Sequence, residues 1–231
     1  MPTALITGSS QGLGLELVRR LLAAEWIVHG FARGPQDLQH ARFTAHAVDV
    51  TDDAAVRTAV GVIAAAGRID LLINNAGAAS MNAFLLTPAA TAERLMRVNY
   101  LGVFHCMQAV GKVMTRQRGG RIVNVTTVAV PLALEGEAAY VASKAAVEAL
   151  TKVVGAELAG GGVIVSATGF GPFDTALTRA VPRTKLANLN ARLGRQTSPT
   201  VSEVADFLLG HAQRAKPGQI DYLGALPESP I

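Results

Sequence analysis

Only one cysteine, Cys106, occurs in 231 residues. That excludes an intramolecular disulfide and leaves too few thiolates for a cysteine-based metal centre. Its setting, "YLGVFHCMQAV", reads as a buried helix in which the thiol is a small hydrophobe. Aromatics make up 5% of the chain, and no Lys/Arg-rich block occurs, so the stacking platforms and basic stripes of nucleic-acid binding are missing. The uncharged stretches, such as residues 122–134 and 158–173, are shorter than a bilayer span or broken by glycines, so no membrane segment is expected. The opening "MPTALITGSS" reaches a strand and a glycine loop at once and leaves no room for a signal peptide. A cytoplasmic location is the expectation.

What is present points to a large core. Half of the residues are hydrophobic and only 16% are charged, which argues against disorder. The net charge of +4 is mildly basic. The length suits one domain, residues 1–231, with most elements buried on more than one side.

Hydrophobic periodicity switches repeatedly between short β-rich runs and longer helical patterns. "TALIT", "WIVHGFA", "FTAHAV", "IDLLIN", "RIVNVTT" and "GVIVSAT" read as six strands, with "QIDYLG" as a last edge strand. Between them, "LGLELVRRLLAAE", "DDAAVRTAVGVIAAAG", residues 91–116, residues 138–158 and "VSEVADFLLGHAQ" read as helices. The pattern weakens over residues 170–199, an irregular region with room for one short helix. Strands alternating with helices predict a single doubly wound α/β domain of the Rossmann type. Its mainly parallel sheet would have about seven strands and helices on both faces.

The first strand–helix junction reads "TGSSQGLG", residues 7–14. In such a sheet this is where a dinucleotide pyrophosphate docks, against unpaired N–H groups at a helix N-terminus. Gly8 would permit the turn, Gly12 would let backbone approach phosphate, and Gly14 would let the helix pack on the sheet. Ser10, Gln11 and Leu13 complete the loop. The spacing is G-x-x-x-G-x-G and differs from the G-x-G-x-x-G fingerprint.

Further along stand "NNAG" at 74–77, Asn99 in "RVNYLG", and "YVASK" at 140–144. Together with the glycine loop, and in this order, these motifs resemble the short-chain dehydrogenase/reductase family, over residues 3–175. The resemblance implies a nicotinamide cofactor and hydride transfer between it and a small-molecule carbonyl or alcohol. It implies Tyr140 as proton donor and acceptor, with Lys144 lowering the phenol pKa and holding the cofactor ribose. It also implies Asn99 as the anchor of a water linking Lys144 to solvent. Tyr140 and Lys144, four apart, would share a helix face, so an ammonium beside the phenol is chemically reasonable. On the cofactor side the resemblance implies Asp49 and Val50 at the adenine, and Asn75, Ala76 and Gly77 at the adenosine half. Gly171, Phe173 and Thr175 would lie along the nicotinamide.

The chain departs from the family pattern in two places. Thirteen residues before the tyrosine the family has a serine, and here Thr127 stands. It keeps the hydroxyl needed to hold a substrate carbonyl, but its β-branch tightens the pocket. Phe170 occupies the position of a usual proline before Gly171.

NAD-binding sites want an acid at the end of the second strand, but here Ala32 is followed by Arg33, which favours the 2′-phosphate of NADP over NAD. Between residues 174 and 195, Arg179, Arg183, Lys185, Arg192 and Arg195 face one acid, Asp174. This excess fits either a solvated loop or an anionic or carrier-linked substrate. Apolar positions beyond one stripe on the long helices, with the family habit, predict a homodimer or homotetramer. The alternative function is a nucleotide-binding sensor or scaffold with impaired catalysis. No metal site is expected.

Overall fold

The computed structural model describes residues 1–173 and 183–226, without the side chains of Arg183 and Lys185. The strands are β1 (Thr3–Thr7), β2 (Ile27–Ala32), β3 (Phe43–Ala47), β4 (Leu71–Asn74), β5 (Gly120–Thr127), β6 (Val163–Phe170) and β7 (Ile220–Tyr222). They form one sheet in the order β3-β2-β1-β4-β5-β6-β7, with every pairing parallel. The order reverses between β1 and β4, and that switch point leaves a crevice at the carboxyl ends of the two strands. β1 and β4 are buried along their whole lengths, as a central parallel sheet covered on both faces requires.

The helices are α1 (Gly12–Ala23), α2 (Asp53–Ala66), α3 (Ala89–Leu95), α4 (Gly102–Gln117), α5 (Ala129–Leu132), α6 (Ala138–Ala159), α7 (Arg183–Arg192) and α8 (Val201–Arg214). On one face of the sheet, Val56, Val60 and Ile63 of α2 pack with Val103, Cys106 and Val110 of α4 and Val147 of α6. The other face is covered by Leu13, Leu17 and Leu21 of α1 and by Val204 and Leu208 of α8. Cys106 lies inside this core as a free thiol.

Local chemistry sets the element boundaries. The Asp52 carboxylate accepts from the Ala55 N–H and caps α2. Thr200 and Glu203 form a reciprocal capping box at the start of α8. The expected helix over 91–116 is longer and interrupted: α3 passes into α4 through a π-helical turn, Met96–Leu101. Apolar spacing alone carries no signal of such a turn, which inserts a residue without changing the buried stripe's general character. The weak region after β6 contains α7, the one helix for which it had room.

Gly155 lets α6 close onto the segment before β7. A Cβ there would sit 2.5 Å from the Gly218 nitrogen and 2.9 Å from its Cα, both backbone atoms that cannot swing aside. Gly155→Ala is therefore expected to cost about 1–3 kcal/mol through overpacking, despite alanine's better helix propensity. Urea unfolding followed by circular dichroism checks this; a variant as stable as the parent would show that the contact relaxes freely.

Candidate active site

A cleft of about 1390 Å³ opens at the carboxyl ends of the strands. One side is built by the turn after β1. Gly8 has φ +68° and Gly12 φ +54°, conformations that favour glycine. The Gly8 N–H donates to the Phe31 carbonyl at 2.8 Å, tying the turn to β2. Gly14 has a different task from the one its position suggests. A Cβ on it would lie 2.1 Å from the Gly8 carbonyl oxygen and 2.7 Å from Asn75 Nδ2, so its bareness closes the loop on itself rather than on the sheet.

Asn75 clamps this turn from the neighbouring strand. Its Nδ2 donates to the carbonyls of Thr7 at 3.0 Å and Gly8 at 3.2 Å. The Thr7 hydroxyl in turn accepts from the N–H groups of Asn75 and Ala76, at 3.0 and 2.9 Å. The N-terminus of α1 then faces the cleft with no side-chain cap from Gln11. Its first N–H groups have no partner within the helix, which suits them to an anion. A dinucleotide pyrophosphate fits this cradle of bare backbone.

Gly8, Ser10, Gln11, Gly12, Leu13, Arg33, Asp49, Val50, Asn75, Ala76 and Gly77 all line the cleft, as do Thr127, Tyr140, Lys144, Gly171 and Phe173. Asp49 is not a helix cap, that task being Asp52's; its carboxylate accepts from the Thr51 N–H at 2.9 Å. Thr175, like Asp174 and Arg179, lies outside the described residues. Phe170, despite replacing a proline, continues β6 in register with Thr127 and packs edge-to-face on Phe173 at 5.5 Å.

Tyr140 and Lys144 sit one turn apart near the start of α6. Lys144 is 4% exposed, and its Nζ donates to the Val125 carbonyl on β5 at 2.8 Å. Burial brings this ammonium down to about 8, with Glu148 opposing the fall. The Tyr140 phenol, half-buried at the cleft wall, is shifted upward in the chain alone. Burial, aided by the negative charge of Glu137, pushes the phenol up to about 12, and only a hydrogen bond with Thr127 pulls it down. With a value of about 8, Lys144 remains largely an ammonium at neutral pH, and it donates to the Val125 carbonyl. The Thr127 hydroxyl thus meets Tyr140 as the missing serine would, while also accepting from the Ala129 N–H at 3.2 Å.

Asn99 is fully buried in the π-helical turn, behind the cleft rather than in its lining. Its side chain donates to the Ala78 carbonyl at 2.8 Å and to Ser143 Oγ at 2.9 Å, and accepts from the Ala78 N–H at 2.8 Å. Both amide hydrogens are used. The side chain therefore pins the segment after β4 to α6.

Sequence reasoning missed much of the opposite wall. Leu132 ends the short helix α5 and Leu134 follows it, while Leu186, Leu189 and Arg192 come from α7. Arg192 reaches across to the Leu132 carbonyl at 3.4 Å. The leucines of "LALEGEAAY" carried a signal, since apolar residues just before a reactive tyrosine have little other reason to stay near solvent.

The short chain dehydrogenase family model matches residues 2–186. A 2-dehydro-3-deoxy-L-rhamnonate dehydrogenase (NAD(+)) from Sphingomonas sp. (strain SKA58) is 32% identical over 197 residues, covering 82% of this chain and 79% of the relative. A 3-oxoacyl-(acyl-carrier-protein) reductase from Staphylococcus epidermidis is 31% identical over 190 residues, covering 78% of each chain. Among solved structures, a gluconate 5-dehydrogenase from Burkholderia cenocepacia J2315, in complex with NADP and tartrate, superposes with a TM-score of 0.87. It is 32% identical, and the match covers 96% of this chain and 93% of that one. The match over four-fifths of the sequence and the close superposition agree with the cleft chemistry: the chain belongs to the short-chain dehydrogenase family of oxidoreductases.

Proposed function

We propose that the chain is an NADP(H)-dependent reductase of small carbonyl compounds. The observation that carries this reading is the convergence of Tyr140, Thr127 and Lys144 on the cleft that also contains the glycine turn and the uncapped α1 terminus. The turn from Gly8 to Leu13 would hold the pyrophosphate, Asp49 and Val50 the adenine, and Lys144 the nicotinamide ribose. A bound nicotinamide supplies the hydride. Thr127 donates a hydrogen bond to the substrate carbonyl, and as that oxygen gains charge Tyr140 gives it the phenolic proton. The proton lost by Tyr140 is replaced from solvent through Lys144. Asn99 would support the water that links Lys144 to solvent by fixing, through its bonds to Ala78 and Ser143, the segments on either side of the lysine.

Reduction is the direction proposed: the phenol, protonated at neutral pH as any tyrosine is and held more firmly so by burial, is in the form that gives a proton to a carbonyl oxygen. Oxidation needs the phenolate, which the chain alone disfavours and which a positively charged nicotinamide ring would have to stabilise. The NADP preference rests on Arg33, exposed at the cleft edge just past β2, where no acid stands to take the ribose hydroxyls. Arg94 and Arg192 line the same cleft as Glu135 and Glu137, so the wall carries both signs and does not by itself select an anionic substrate. Leu101 and Phe104 are partly exposed, and Val153 on α6 is more so, which supports pairing of two copies through these helices. Sedimentation velocity at micromolar concentration should show a dimer or tetramer; a monomer would count against this pairing.

Tyr140→Phe is expected to retain cofactor binding and lose turnover by orders of magnitude, read as NADPH oxidation across a panel of small ketones and aldehydes. Thr127→Val should cost about 10²–10³ in kcat by removing a hydrogen bond to the developing alkoxide, while Thr127→Ser stays active. A fully active Tyr140→Phe would show that the acid is elsewhere. Intact binding without turnover in the parent itself would favour the sensor or scaffold reading.

A further inference from the structure

Glu148 is a buried carboxylate that the mechanism above leaves without a task. It lies four residues beyond Lys144 on α6, so Tyr140, Lys144 and Glu148 follow one another along one helix face at i, i+4 and i+8. Glu148 is only 8% exposed. A carboxylate in that position is costly unless hydrogen bonds replace its water. Two do so: the Thr126 hydroxyl donates to Oε1 at 2.7 Å, and the Tyr222 hydroxyl donates to the same atom at 2.8 Å.

The second donor is delivered from the far edge of the sheet. Tyr222 belongs to β7, and its ring must cross β6 to reach α6. It crosses at Gly169, where a Cβ would lie 2.5 Å from the ring's Cδ1 and 2.7 Å from Cε1. A side chain at 169 would block the crossing. Thr126 is the immediate neighbour of Thr127 and Val125, so the strand that presents the substrate hydroxyl and the lysine's acceptor also holds Glu148.

From this arrangement we propose that Glu148 is a positioning residue of the active site: fixed by Thr126 and Tyr222, its negative charge keeps the buried Lys144 in its ammonium form. Among the described residues the other groups near Nζ are neutral. They are the Val125 carbonyl on β5 and Gly77 after β4, whose Cβ position is 3.6 Å from Nζ; Asn99 in the π-helical turn stands beside Gly77. The remaining titratable groups are Tyr140 itself, Glu137 acting on Tyr140, and Tyr222, whose hydroxyl donates to Glu148. Glu148 alone opposes the loss of the Lys144 proton that burial promotes.

The inference rests on the reading of Lys144 as a cofactor-holding group, so its test measures binding, apart from turnover. NADPH affinity is followed by nicotinamide fluorescence between pH 6 and 10, limits that are about two units either side of the Lys144 value. The parent should bind more weakly as Lys144 loses its proton, with a midpoint at about 8. Glu148→Gln keeps the shape and removes the charge; loss of the opposite charge one helical turn away should move that midpoint down. Glu148→Asp, which restores the charge, should bring it back toward the parent's. If the Gln variant does not fold, Glu148→Met, of similar volume, is read in the same way. A charge-free variant that retains the parent's midpoint, however much stability it has lost, overturns the proposal and leaves Glu148 a packing residue. A parent that binds neither NADPH nor NADH at any pH overturns the cofactor reading itself, and this role of Glu148 with it.

Discussion

Lys144 places an ammonium group almost wholly out of water, and most of the active site can be understood as the answer to that. A buried charge demands hydrogen-bond acceptors and an opposite charge, and either lapse costs several kcal/mol. Here the acceptor is the Val125 carbonyl and the charge is Glu148. Glu148 is then a second buried ion with needs of its own, met by hydroxyls from Thr126 and Tyr222. One burial thus ties α6 to β5 and, across β6, to β7. The same helix carries Tyr140, so the rigidity obtained for the lysine is passed to the phenol one turn earlier.

The opposite half of the cleft obeys a different constraint, close backbone approach. The bare Cα of Gly14 against Gly8, and the Asn75 amide bridging Thr7 and Gly8, hold the β1 turn open toward the cleft. The two halves meet at the segment after β4, which carries Asn75 at one end and is pinned by Asn99 at the other. Asn99 extends this connection to Ser143 on α6, next to Lys144. A short run of backbone between two asparagines therefore sets the spacing between the glycine turn and the Tyr140–Lys144 pair.

The strands were legible because a doubly covered parallel sheet leaves continuous apolar runs such as "TALIT" and "LLIN", and the element order follows from their alternation with helices. The four motifs named the family for the same reason that they gather at one cleft: each is a place where backbone or a polar side chain must do something packing does not require. Other features left no readable trace. The π-helical turn shows the same apolar stripe as an unbroken helix. The partnership of Tyr222 with Glu148 spans 74 residues and depends on the bareness of Gly169, a long-range relation that no local pattern encodes. The upward shift of Tyr140 in the chain alone left no trace either, because a lysine four residues away says nothing about how deeply either group is buried, and burial is the largest cause of both shifts.

The central claim is that the two halves of this cleft are spaced to hold one nicotinamide dinucleotide between the β1 turn and Tyr140. The most direct measurement is the thermal unfolding midpoint of the purified protein titrated separately with NADPH and NADH. A saturable rise is predicted, larger with NADPH because of Arg33, and equivalent to about 2.7 kcal/mol at one hundred times Kd. A midpoint that neither nucleotide moves at millimolar concentration would contradict the account.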